Sequence, residues 1–213
     1  VQKGLQYLLH AQAADGNLGG RGQMFEFMYC HGMATLALGE LLGMSGDERL
    51  REPATRAVAY IVAAQDPVGG GWRYRPKDPG ERISRTMTAE ALVCRQFLGL
   101  SPQSPTARES ADYLVGELPG QGEANLYCWY YATMAMYQLQ GDYWQQWTRA
   151  LQQTLLATQQ ASGPLAGSWD PNTRWDGYGG RVYSTALATL CLEAYYRFLP
   201  LHPSVAPPGP APQ

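Results

Sequence analysis

The stretch QDPVGGGW at residues 65–72 joins two segments with helical periodicity. It contains a Gln, a glycine-rich turn and then a Trp. Glycine tolerates the positive φ angles at which helices commonly end. A buried Trp packs its apolar face and needs a partner for its indole N–H. We therefore expect Gln65, Gly70, Gly71 and Trp72 to fasten the end of one helix to the next structural unit.

Two other stretches repeat this pattern. QASGPLAGSW at 160–169 supplies Gln160, Gly167 and Trp169, and QAADGNLGG at 12–20 supplies Gln12 without a Trp. Each follows an amphipathic segment and precedes a more apolar one. The corresponding loop LPGQGEAN, at 118–125, has no Trp. We expect the first three loops to have one role.

Eight segments have helical periodicity, and no alternating strand pattern competes with them. Four are amphipathic and are expected to form an outer layer: 1–13, 50–65, 104–117 and 142–161. The other four are almost free of charge through their middles and are expected to be enclosed: 26–43, 83–98, 124–139 and 180–198. The sequence therefore predicts an all-α fold of four helical hairpins, with inner and outer helices.

The apolar helices align with one another. YCHGMATLAL (29–38), ISRTMTAEAL (83–92), YCWYYATMAM (127–136) and VYSTALATLCL (182–192) form one alignment. Its central column holds Cys30, Ser84, Cys128 and Ser184, which lie 54, 44 and 56 residues apart. The flanking columns hold Tyr29, Ile83, Tyr127 and Tyr183, and His31, Arg85, Trp129 and Thr185. Repeats of this length indicate a solenoid or a closed array.

These motifs resemble a known superfamily. The Gln…Gly-x-Trp loops beside alternating helices are similar to the QW motifs of squalene cyclases and protein prenyltransferases. The stretch GEANLYCWYYATMAM (122–136) resembles the Tyr-Cys inner helices of prenyltransferase β subunits. The resemblance covers residues 1–201 and implies an α/α toroid around a central apolar cavity, followed by a Pro-rich tail or linker at 202–213. It places these residues at the cavity: Tyr29, Cys30, His31, Ser84, Arg85, Tyr127, Cys128, Trp129, Tyr183, Ser184 and Thr185.

The acid motif of the cyclases has no match in the chain. The resemblance implies Asp-x-Asp-Asp-Thr at the start of an inner helix, where this sequence has RISRT at 82–86. Arg85 would repel a developing carbocation, which argues against ordinary cyclase catalysis by this chain alone. The remaining candidate acids are Asp170 and Asp176, paired with Glu26 or Glu123 in a glycosidase-like arrangement. Both Asp residues also suit ordinary turns or helix caps.

Zinc chemistry of the prenyltransferase type needs an Asp, a Cys and a His. Cys30 and His31 are adjacent and point about 100° apart on a helix, which makes joint coordination strained. One of them with Cys128 is an alternative, and apolar packing of the thiols is another. His31 is either a general base or a hydrogen-bonded core residue. We expect no metal and no cofactor, since thioester and phosphate-loop motifs have no match either.

Composition excludes several classes of partner. The 213 residues are 45% hydrophobic and 16% charged, with a net charge of −2. No basic stretch interleaves with aromatic residues, so we expect no nucleic acid. The apolar runs are shorter than the roughly 20 residues of a membrane-spanning helix. The four cysteines form no CxxC pair and are expected to be reduced, which favours the cytoplasm; no targeting signal is visible.

Two functions fit these features. The first is a toroid repeat domain without the standard catalytic motifs, which binds an isoprenoid, another apolar molecule or a protein partner. The second is a terpene cyclase-like or prenyltransferase-like enzyme with a non-standard acid such as Asp170. The aromatic cluster of Tyr127, Trp129, Tyr130, Tyr131 and Tyr137 suits either a ligand pocket or packing between hairpins. An open arc of four hairpins would leave apolar flanks, which predicts self-association.

Overall fold

The computed structural model describes residues 1–21, 26–66, 71–76, 78 and 80–197, except for the side chains of Glu26, Tyr195 and Arg197. Gly70 and the Pro-rich tail lie outside these residues. The eight predicted helices are confirmed: α1 Gln2–Ala11, α2 Glu26–Ser45, α3 Arg51–Ala63, α4 Arg85–Phe97, α5 Pro105–Val115, α6 Leu126–Leu139, α7 Gly141–Thr158 and α8 Asp176–Arg197. The described residues contain isolated β-bridges but no strand, so the fold is all-α.

Short polar side chains determine where several helices begin. Ser84 accepts a hydrogen bond from the N–H of Met87, and Asn125 accepts one from Cys128. The hydroxyl of Ser104 accepts from Ala107, just ahead of the proline that opens α5. These side chains satisfy N–H groups that have no partner within the first helical turn. Helix α8 is kinked at Gly180, which has a φ of 63°.

The chain divides into two compact units, Val1–Tyr113 and Leu114–Gln213. In the first unit, α2 packs against both α3 and α4. In the second unit, α6 packs against both α7 and α8. Helix α7 shows the amphipathic pattern expected of an outer helix, since its buried residues recur every three or four positions: Trp144, Trp147, Leu151 and Leu155.

Enclosure of the apolar helices is only partly as expected. Every residue of α4 from Thr86 to Gln96 is buried, and so are most residues of α6. In contrast, α2 exposes Met33 and Met44, and α8 exposes Val182 and Tyr196. The prediction that all four helices are enclosed is therefore wrong for α2 and α8. A helix with few charged residues can be buried on any face, but its sequence does not show whether another helix is present to cover each face.

The three repeat loops close through the same main-chain hydrogen bond. The N–H of Ala13 donates to the carbonyl of Asn17, that of Asp66 to Gly71, and that of Gln160 to Ser168, each at 2.9 Å. The residue after each acceptor is Leu18, Trp72 or Trp169. These loops are therefore structural equivalents, although they differ in length.

The residue that follows this closure binds the next apolar helix. The main-chain N–H of Trp72 donates to Oγ1 of Thr88 at 3.2 Å, and that of Trp169 to Oγ1 of Thr185 at 3.2 Å. Each indole also donates to a carbonyl of the preceding outer helix at 2.8 Å, from Trp72 to Ile61 and from Trp169 to Leu155. Each Trp thus joins an outer helix to the next apolar helix within its own unit, which is the fastening role expected for it.

The equivalent glutamines are Gln12, Gln65 and Gln159, so the choice of Gln160 is off by one residue. The side-chain amide of Gln12 donates to the carbonyl of Gly16, and that of Gln159 to the carbonyl of Gly167. Both glycines have φ near 85°, at 88° and 84°, where a side chain would be strained. Gln160 instead donates to the carboxylate of Asp170 at 2.7 Å.

Hydrogen bonds also correct the alignment of the apolar helices. Because Trp72 binds Thr88 as Trp169 binds Thr185, Thr88 rather than Arg85 is the partner of Thr185. The capping residues Ser84 and Asn125 lie 41 residues apart, as do Thr88 and Trp129. The column beginning at His31 therefore continues with Thr88, Trp129 and Thr185. The central column continues from Cys30 to Met87, because Ser84 caps α4.

We predict that Thr88→Val lowers the free energy of unfolding by about 1–3 kcal/mol, because it leaves the buried N–H of Trp72 without an acceptor. The matched control is Thr55→Val, which changes an exposed threonine that bonds only to its own helix. It should cost less than about 0.5 kcal/mol. Urea unfolding followed by Trp fluorescence measures both, and equal costs would contradict the fastening role.

Candidate functional site

His31 is a fully buried core residue that joins three parts of the first unit. Its Nδ1 accepts a hydrogen bond from the N–H of Leu18 at 3.0 Å, and its Nε2 lies 3.1 Å from the carbonyl of Ala57. The ring is therefore neutral, with its proton on Nε2. Burial lowers the pKa of His31 from 6.5 to about 4, against smaller opposing effects of the Ala57 carbonyl and Asp15. With both nitrogens bonded to the main chain, His31 is not free to act as a base.

The cysteines do not gather into a metal site. Cys30 is exposed, whereas Cys94, Cys128 and Cys191 are buried and reduced. Burial raises the pKa of both Cys94 and Cys191, which keeps these thiols neutral. Within the residues that the structure describes, no three His, Cys, Asp or Glu side chains are placed to hold a metal ion.

Asp170 lies at the mouth of a loop and is about half exposed. One oxygen accepts a hydrogen bond from Gln160, and the other forms an ion pair with Arg181. The carboxylate thus holds the loop 160–169 against the start of α8. The other acid considered with it, Glu123, is exposed and lies 3.6 Å from Arg174.

Asp176 is buried and is the first residue of α8. Its two oxygens accept from the N–H and the hydroxyl of Thr173, both at 2.7 Å. The carboxylate of Asp176 thus bonds back to both polar groups of Thr173 and fixes the turn that leads into α8. Burial raises the pKa of Tyr183 to about 12, with a smaller contribution from the charge of Asp176.

The other predicted cavity residues have local partners. The ring of Tyr29 lies 5.5 Å from that of Tyr74. The guanidinium of Arg85 lies 4.5 Å from the ring centre of Tyr113 and donates to its carbonyl. Ser184 is buried and donates to the carbonyl of Gly180, in the kink of α8.

The predicted aromatic cluster forms two separate groups in the second unit. The ring of Tyr131 lies 4.9 Å from that of Tyr127 and 5.2 Å from that of Tyr130. Tyr137 instead packs edge-on against Trp144 of α7, with ring centres 5.3 Å apart. Helical geometry explains this division, because Tyr137 is almost two turns beyond Tyr131.

Trp129 lines a recess of about 200 Å³ in the second unit. A second wall is Trp169, the fastening residue of the last repeat loop. Both indoles are largely buried, and Asp170 adds a carboxylate at the same recess. The remaining lining residues are small or polar: Ala124, Thr158, Asn172 and Thr173. The lining therefore combines two indole side chains with a few polar groups, a mixture of residue types that small-molecule sites also use.

Glu90 is a buried acid that the sequence reasoning missed. It lies on α4, is 1% exposed, and neither carboxyl oxygen has a hydrogen-bond partner among the described residues. Its carboxyl carbon lies 2.7 Å from where a Cβ on Gly32 would be, so a glycine in α2 makes room for it. Burial raises the pKa of Glu90 well above 4.5, which keeps the carboxyl neutral. The available signal was a lone carboxylate within the apolar run TMTAEALVC.

No protein-family model matches the chain, and no curated protein matches it. None of the helices in the described ranges combines the length and apolar character that crossing a membrane requires.

We predict that stability falls by about 3 kcal/mol through His31 alone as the pH drops from 6.5 to 4. The unfolded chain binds a proton on this imidazole near pH 6.5, whereas the folded chain binds it only near pH 4. Urea unfolding of the wild type and of His31→Gln at several pH values isolates the effect, and His10→Gln is the exposed control. If the free energy of unfolding depends on pH in the same way for the wild type and His31→Gln, then His31 is not a buried neutral ring.

We predict that Glu90→Met raises the free energy of unfolding at pH 7 by about 1–3 kcal/mol, because it removes a buried group without a partner. Glu90→Gln keeps the shape and tests ionisation separately. Because the pKa of Glu90 is raised, the wild type is fully stabilised below 4.5 and loses stability as the pH rises above it. Glu90→Gln should lack this loss. Destabilisation by Glu90→Met would show that the carboxyl has a stabilising partner.

Proposed function

We propose that this chain is a squalene cyclase- and prenyltransferase-like toroid repeat domain that binds a small apolar molecule without transforming it. The observation that carries the proposal is the recess between Trp129 and Trp169. Trp129 belongs to the predicted set of cavity residues, and Trp169 belongs to the repeat loops on which the resemblance rests. The recess lies wholly within the second unit, whose own residues form its walls.

The candidate catalytic groups support binding over reaction. Both nitrogens of His31 bond to main-chain groups. Both oxygens of Asp176 accept hydrogen bonds from Thr173, and Asp170 bonds to Gln160 and Arg181. A general acid or base must reach the reacting atom directly or through one water. Each of these side chains would have to leave a structural contact to do so.

The volume of the recess restricts its ligand. A dry cavity of about 150 Å³ holds one benzene ring. A recess of 200 Å³ therefore suits one or two isoprene units, or a ring of similar size, but not a thirty-carbon chain. The indole faces would pack against the apolar part, and Asn172 and Asp170 offer hydrogen bonds to a hydroxyl at the other end. A short isoprenoid alcohol has this combination.

Geraniol is the probe for this proposal. We predict saturable binding by isothermal titration calorimetry and a change in Trp fluorescence on binding. Trp129→Ala should weaken binding at least tenfold, which corresponds to about 1.4 kcal/mol. The matched control is Trp175→Ala, since Trp175 packs with Arg174 and does not line the recess.

Two results would contradict the proposal. The first is equal affinity in the wild type and Trp129→Ala, provided circular dichroism shows that both are folded. The second is a new product after incubation with geranyl diphosphate. If Asp170→Asn abolished that product, the evidence would favour the alternative, an isoprenoid-converting enzyme with a non-standard acid.

A further inference from the structure

In each unit, the later apolar helix contacts the earlier one through a cysteine at the same repeat position. In the first unit, Cys94 of α4 donates to the carbonyl of Gly32 in α2 at 3.4 Å. In the second unit, the equivalent Cys191 of α8 forms a side-chain hydrogen bond with Thr133 of α6. These cysteines are 97 residues apart, as are Thr88 and Thr185 in the corrected alignment. Each pair therefore joins one face of the earlier helix to the opposite face of the later helix.

On α2, the face that a preceding helix would cover is exposed. The α2 positions equivalent to the contact residues Met87, Glu90 and Cys94 are Cys30, Met33 and Ala37. Cys30 is exposed, Met33 is 55% exposed, and Met44 at the end of this face is 86% exposed. The face is apolar apart from Glu40.

On α8, the face that a following helix would cover is exposed as well. The α8 positions equivalent to Met28 and Gly32 are Val182 and Ala186. Val182 is 81% exposed, Ala186 is exposed, and Tyr196 further along this face is 78% exposed. The two helices thus expose opposite halves of an interface that the chain already builds twice.

We propose that the exposed face of α8 packs against the exposed face of α2 in a second copy of this chain. The contact copies the α2–α4 pair, so it is head-to-tail. In that pair, Met28 and Met87 share one buried cluster, which places Val182 of one copy beside Cys30 of the other. Similarly, Gly32 contacts Glu90, which places Ala186 beside Met33.

One pair of charges opposes this association. A Cβ on Gly39 would lie 3.6 Å from the Cβ of Phe97, and the equivalents of these residues are Glu193 and Glu40. Two carboxylates at such a contact repel each other. The association is therefore weak, it strengthens with added salt, and reversal of one charge should strengthen it further.

Cysteine crosslinking tests the arrangement. Cys30 is exposed while the other three thiols are buried, so it is the natural reporter on α2. We mix the wild type with the double variant Cys30→Ser, Val182→Cys and add a short bismaleimide. We expect a covalent dimer, at a yield at least tenfold above that of the control Cys30→Ser, Leu156→Cys. Leu156 is also exposed, at 59% against 81% for Val182, but it lies on α7.

Charge reversal and the single variant complete the test. Glu40→Lys in the wild-type partner should raise the dimer yield several-fold, whereas Met33→Asp should lower it. Equal yields for Val182→Cys and the Leu156→Cys control would overturn the proposal. A dimer formed by the wild type alone would also overturn it, because that result joins two α2 faces. The single variant Val182→Cys keeps Cys30. If the bismaleimide joins these two cysteines only within one chain, the proposal is overturned as well.

Discussion

The hydrogen bond from the main-chain N–H of Trp72 to Thr88 connects the two levels of organisation in the first unit. The indole of the same residue donates to α3, and its main chain forms the bridge with Gln65 that closes the loop. One residue therefore positions the end of an outer helix, the loop and the start of α4. Since Trp169 makes the same bonds in the second unit, the contact is a property of the repeat.

The first repeat loop obtains the same result with different side chains. Leu18 has no indole, and the residue that receives its N–H is His31. A histidine can accept at one nitrogen and donate at the other, so His31 also bonds to α3 at Ala57. This arrangement works only for the neutral ring, because a doubly protonated imidazole has no acceptor. Burial lowers the pKa of His31 and so keeps the ring in the neutral form that makes both hydrogen bonds.

Periodicity was sufficient to predict all eight helices, because each pattern is local. It could not fix the alignment of ISRTMTAEAL, since a shift of three residues leaves the same side chains on the same helix face. The hydrogen bond of Thr88 decides it. The sequence could not show whether Gln159 or Gln160 is the equivalent of Gln12 and Gln65, because the two glutamines are adjacent. Their hydrogen bonds decide it. For His31 and Asp176, the sequence offered both a catalytic and a structural role, and it could not choose between them because their partners, main-chain groups and the side chain of a nearby turn residue, appear only in the folded chain.

The most buried of the apolar helices, α4, also carries two ionisable side chains. Every residue of α4 from Thr86 to Gln96 is buried, and Glu90 and Arg95 lie within this range. Among the described residues, neither the carboxyl oxygens of Glu90 nor Nη1 of Arg95 has a hydrogen-bond partner. Burial lowers the pKa of Arg95, and its guanidinium lies 5.6 Å from the ring of Trp72. At the position of Glu90, α8 has Leu187, and α8 still packs against α6. A carboxyl is therefore not required for the pairing of these helices. The neutral carboxyl of Glu90, buried beside Gly32 without a hydrogen-bond partner, lowers the stability of the α2–α4 contact.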